Sequence, residues 1–170
     1  LQESMSWNEE VAIHVPEGVD TTTPLPVVVA LHVAMRFEAQ PVDWLKELAD
    51  EHKFMLVVPR GPIFAGIQLR DGKYVKVYRW KQDSADDKPA IKKIGVALEK
   101  AKAAHPVDAG KVTILGFGGR AGYLAYLVGL SEADKYSRIV AIGGYYNKWY
   151  FPDFYEAAKP RNKGVFIIHG

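Results

Sequence analysis

The sequence has no cysteine. That excludes disulfide bridges, thiolate metal sites and a cysteine nucleophile at once. It leaves the compartment open, because a secreted domain of 170 residues can hold together without bridges. Long apolar runs are lacking too, since none approaches the roughly 18 residues needed to cross a bilayer. The opening Leu1-Gln2-Glu3-Ser4 has neither the basic start nor the apolar stretch of a signal peptide. Because it begins on Leu rather than Met, the true start of the gene product is expected upstream. Neither sign of charge dominates: 22 basic residues stand against 20 acidic ones, net +2. Such balance argues against nucleic acid and against a membrane as partners. Repeats, low-complexity tracts and a linker are also missing, so residues 1–170 read as one domain, open to being incomplete.

What is present is an alternation of strand-like and helix-like stretches. Val11 to Val15 predicts a strand closed by Pro16, and Pro26 to Leu31 is a continuous apolar run suited to a strand covered on both faces. Pro41 suits a first helical turn, with Val42, Leu45 and Leu48 following at helical spacing. Phe54 to Val58 is a further buried strand, ended by Pro59-Arg60-Gly61-Pro62. Asp71-Gly72, between Ile67-Gln68-Leu69 and Tyr74-Val75-Lys76-Val77, is a two-residue hairpin signal.

Ser84 with Asp87 resembles a capping box, and the helix after it carries Ile91, Ile94, Leu98 and Ala101 on one face. Lys92, Lys93, Lys100 and Lys102 read as its solvated side. Lys111 to Leu115, Ile139 to Ile142 and Val165 to Ile168 are strands, and Ala121 to Leu130 is an apolar helix. At least five apolar strands separated mostly by helices predict an α/β fold, a mainly parallel sheet flanked by helices.

Residues 111 to 127, KVTILGFGGRAGYLAYL, form a strand, a glycine-rich turn and an apolar helix. Here the chain resembles the α/β-hydrolase superfamily, in particular carboxylesterase, feruloyl-esterase and polyester-depolymerase-like members. The resemblance extends to PLPVVVALH (24 to 32), MLVVPRGP (55 to 62), RIVAIGGYY and VFIIHG, in family order over roughly residues 10 to 170. It implies an α/β-hydrolase-like sheet, truncated on its C-terminal side, and an ester-hydrolase lineage. It also implies G-x-S-x-G at the turn, where a histidine could activate serine beside helix-start amides. Aligned on Gly116-Phe117, however, the nucleophile position is Gly118 and the second glycine is Arg120.

The oxyanion loop, expected to open His-Gly, reads His32-Val33-Ala34-Met35. The family's acid and base are expected after His169-Gly170, where the chain ends. Acyl-transfer chemistry is therefore not expected of the chain as written, and no catalytic set is intact. Ser131 and Ser137 lack an elbow-like context, and Asp153 is read as a solvated loop charge.

The alternative is a binding or interaction module using the cleft at the strand carboxyl ends, taking a small ester or an anionic ligand. Val33, Ala34, Gly119 and Arg120 are the oxyanion or anion-binding candidates, Arg120 adding positive charge at a helix start. His32, Tyr145, Tyr146, Trp149 and His169 are the pocket candidates. The histidines could equally be hydrogen-bonded strand-end residues, and the aromatics a cluster packed beneath a long loop. His14, His52 and His105 read as surface or helix-end residues. No metal site and no cofactor is expected, since the glycines do not follow G-x-G-x-x-G and no ligand spacing suits a metal. Self-association through the edge of the strand at 165–168 is a further expectation.

Overall fold

The computed structural model describes residues 5–8, 11–33, 39–70, 72–81, 87–144 and 164–168. In chain order the elements are β1 (Met5–Asn8), β2 (Val11–His14), β3 (Leu25–Leu31), α1 (Ala39–His52), β4 (Met55–Pro59), β5 (Ile63–Arg70), β6 (Lys73–Arg79), α2 (Lys88–Ala104), β7 (Val107–Phe117), α3 (Gly118–Ser131), β8 (Arg138–Ile142) and β9 (Gly164–Ile168). Seven of the strands make one sheet in the order β1-β2-β4-β3-β7-β8-β9. Strands β4, β3, β7, β8 and β9 run parallel, whereas β2 is antiparallel to both β1 and β4.

The apolar strands lie where both faces are covered. All five residues of β4 are buried, Pro59 included, although it was expected to end the strand. On one face Val27, Val29, Met55, Val57 and Ile114 pack against α2 and α3. On the other, Ala12, Ala30, Leu56, Val58 and Leu115 pack with Val42 and Ala49 of α1. In α1, Ala49 occupies the inward position expected for Leu48, which is exposed. The result is three layers, helix–sheet–helix, the arrangement that parallel sheets require.

His14, read as a surface or helix-end residue, is in fact buried within the sheet, and His105 is buried too, although at a helix end as expected. His14 lies on the α1 side of β2, where its Nε2 meets Asp50 Oδ1 at 2.8 Å. Asp50 also accepts from Lys46 Nζ at 2.7 Å and from the Glu17 amide at 3.2 Å. Burial works to raise the Asp50 carboxyl, but these three donors outweigh it and hold the group down at about 2. The hydrogen bond to Asp50 holds the Lys46 ammonium above its usual range. His105 stands at the α2 C-cap, its Nδ1 3.0 Å from the Pro106 carbonyl.

The Asp71-Gly72 signal is realised as a hairpin, with Arg70 opposite Lys73 and Gly72 at φ +75°. Strands β5 and β6 form their own two-stranded sheet, bulged between Phe64 and Gly66. Val77 faces the body and is buried, while Phe64, Ile67, Leu69 and Tyr74 face outward. The expected Ser84–Asp87 capping box is corrected as well. Asp87 is itself the residue before the first helical turn, and its side chain makes no capping bond.

Candidate functional site at the strand carboxyl ends

Strand β7 ends at Phe117 in extended conformation, and the chain turns into α3 through Gly118 at φ +77°. This left-handed value costs any residue with a Cβ, and glycine avoids the cost. Space is not what requires glycine here. A Cβ on Gly118 would meet only Val33 Cγ1, at 3.5 Å, an ordinary contact. Gly116 is different, since its Cβ would lie 2.1 Å from the Ala121 carbonyl oxygen. The start of α3 is thus pressed against the end of β7 by the smallest residue available. The turn has the backbone of a nucleophile elbow, and the position at its apex offers no oxygen.

Beside the apex stand His32 and Val33, at the end of β3. The Gly61 amide donates to His32 Nε2 at 2.9 Å, so that nitrogen must be the acceptor of the ring. Nδ1 then carries the proton and donates to the Val33 carbonyl, 2.8 Å away. A neutral imidazole of fixed tautomer therefore ties the exit of β3 to the exit of β4. Trp80, wholly buried, donates its indole N–H to the His32 carbonyl at 3.0 Å, and the two rings lie 5.2 Å apart. These contacts give His32 a positioning role, both ring nitrogens being turned to backbone groups rather than to the apex.

Arg120, in the first turn of α3, reaches the N-terminus of α2. Its Nε donates to the Lys81 carbonyl and its terminal nitrogen to Asp87, and the guanidinium lies 4.5 Å over the Tyr123 ring. Tyr123 donates to the same carboxylate at 3.2 Å. Burial first, and then the negative charge of Asp87, push the Tyr123 hydroxyl up to about 12, so it stays protonated as a donor. The Arg120 and Asp87 side chains are only 13% and 9% exposed. Arg120, expected to add positive charge for an anion, thus has that charge met by a nearly buried carboxylate. The same contact explains why Asp87 does not cap α2: its oxygens are turned toward Arg120 and Tyr123.

Gly119 follows the apex in the helix start, where the first amides lack intrahelical acceptors. Ser131 and Ser137 do not approach it. Their hydroxyls donate to the carbonyls of Val128 and Val112, and Val112 is paired five residues before the end of β7. Ala34, Tyr145, Tyr146, Trp149, Asp153 and His169 lie outside the described residues. Among the described residues no three of His, Asp and Glu come together as metal ligands. The structure thus brings together Gly118, Val33 and Gly119, with His32 behind them and Arg120 turned aside. Sequence reasoning missed the Arg120–Asp87–Tyr123 contact, for which the only signal was an acidic residue at a helix start.

No family model matches the sequence, and no curated protein matches it either. Solved structures do resemble the fold. An S-formylglutathione hydrolase (FrmB) from Staphylococcus aureus superposes with a TM-score of 0.59 at 17% identity, over 88% of this chain and 59% of that one. A thermostable esterase gives 0.65 at 16% identity, over 92% and 41%. An acetyl xylan esterase from Aspergillus awamori gives 0.58 at 12% identity, over 84% and 49%. The chain therefore spans between two fifths and three fifths of these proteins' lengths. Its fold is α/β-hydrolase-like.

Proposed function

We propose that this chain derives from a carboxylic-ester hydrolase lineage and does not itself hydrolyse esters. The observation that carries this reading is Gly118 at the apex of an otherwise retained elbow, at φ +77°. Acyl transfer at such a turn needs an oxygen that can attack a carbonyl while a neighbouring base takes its proton. Glycine supplies neither oxygen nor proton. The two serines that follow the turn in sequence support the reading. Ser137 is bonded to Val112, roughly 20 Å of extended strand from the apex, and Ser131 is bonded within its own helix. His32 is engaged by Val33 and Gly61 and so is not poised as a base. The fold likeness alone would favour activity, but fold and chemistry separate readily when the reacting atom is absent.

The experiment is hydrolysis of short p-nitrophenyl esters by the purified chain, with and without a serine-directed phosphonate. The expected outcome is release no faster than in buffer, and no covalent label. Turnover abolished by the phosphonate would overturn the proposal. A binding module at the same turn is the weaker reading. With Arg120 balanced by Asp87, an anion there would meet chiefly backbone amides.

A further inference from the structure

We propose that the outward face of the β5–β6 hairpin docks the molecule on an anionic lipid surface, without crossing it. Hairpins on a domain surface ordinarily turn their apolar side inward. Here a second apolar set faces out: Phe64 is 54% exposed, Ile67 61%, Leu69 65% and Tyr74 80%. Cross-strand pairing makes these one patch rather than scattered residues. Leu69 stands opposite Tyr74, Ile67 opposite Lys76, and Phe64 opposite Tyr78, with the Phe64 and Tyr78 rings 5.9 Å apart edge to face. A contiguous exposed patch of this kind marks an interaction surface.

Charge identifies the occupant. Over the whole chain the balance is +2, but residues 63–79 hold four basic residues against one acidic one, net +3, although Arg70 among them is ion-paired with Asp43 at 3.0 Å. Lys73 and Lys76 are exposed on the hairpin, Lys76 within the apolar patch and Lys73 at the turn, on the opposite face from its neighbour Tyr74. Aliphatic and aromatic side chains flanked by lysines suit the boundary between acyl chains and anionic headgroups. There the apolar tips leave water while the ammonium groups stay among phosphates. A second copy of the chain suits the patch less well. Four side chains expose a few hundred Å² at most, whereas a stable dimer buries about 800 Å² per partner. Like positive charges would also face each other across a two-fold axis.

The hairpin is rooted at the strand carboxyl edge. Gly61 packs so closely on Arg79 that a Cβ would lie 2.7 Å from its backbone, and Trp80 is bonded to His32. The Gly118 turn lies at the same carboxyl edge, at the end of β7. The inference does not depend on whether that turn hydrolyses anything.

The test is sedimentation of the full chain with vesicles of phosphatidylcholine alone and of phosphatidylcholine mixed with phosphatidylglycerol. The double variants Leu69→Ser/Tyr74→Ser and Lys73→Glu/Lys76→Glu are run beside it, with thermal melts to check folding. The expected result is binding to the mixed vesicles, weak binding to the neutral ones, and at least a tenfold loss for each folded variant. If the apolar pair fails to fold, Tyr74→Ser alone, at the most exposed of the four positions, replaces it. Failure to bind mixed vesicles, equal binding to neutral ones, or binding that the variants retain would each overturn the assignment. So would a self-association that Leu69→Ser/Tyr74→Ser abolishes in the absence of vesicle binding.

Discussion

Two glycines only two residues apart should respond very differently to a methyl group. Gly118→Ala introduces a Cβ at φ +77° that makes only an ordinary 3.5 Å contact with Val33, so its cost is conformational, about 1 kcal/mol. Gly116→Ala drives a Cβ to within 2.1 Å of the Ala121 carbonyl, and backbone must move to relieve it. That change should cost on the order of 3 kcal/mol or more. Urea unfolding of both variants checks the pair, and equal losses would contradict the division between strain and clash. On steric grounds alone, an oxygen could be accommodated at the apex. His32 would not serve Gly118→Ser as a poised partner, since its nitrogens are held by the Gly61 amide and the Val33 carbonyl.

Among the elements, β2 and α1 are joined by the His14–Asp50 contact, and this joint is sensitive to acid. The Asp50 carboxyl is held at about 2, below its ordinary value of 3.8. Its contribution is therefore complete above about pH 4 and is lost as pH falls through the folded-state value near 2. An Asp50→Asn variant should be less stable than the parent at neutral pH, and the gap should close between about pH 4 and 2. Denaturant midpoints across that range decide it, and a gap that stays constant would count against the assignment. The joint was not legible in the sequence, because His14 and Asp50 are 36 residues apart and nothing local marks them as a pair. The parallel strands were legible, since β3, β4 and β8 are apolar runs whose burial needs no distant partner to predict. The hairpin was equally plain, because Asp71-Gly72 is a local turn signal. Strand β1 escaped notice because Met-Ser-Trp-Asn shows neither alternation nor a continuous apolar run. At the candidate site, Gly118 could be read from its motif, whereas the Arg120–Asp87 contact depends on how α2 and α3 meet.

For the molecule as a whole, the sheet has two ends with different chemistry. Its carboxyl edge gathers the glycine turn, the neutral imidazole of His32 and the root of a basic, apolar-faced hairpin. Beyond β8, strand β9 is the last of the described sheet, with Phe166, Ile167 and Ile168 all more than half exposed. Among the described side chains, Trp44 is half-exposed whereas Trp80 is wholly enclosed where the hairpin rejoins the sheet. Trp80 is therefore a built-in optical reporter of that junction. Its emission should be blue-shifted and shielded from iodide, and Trp80→Phe should remove that contribution from the spectrum. Should the hairpin detach before the sheet unfolds, that component would shift red ahead of the loss of far-ultraviolet ellipticity, so the light from a single indole would time the first step of the molecule's opening.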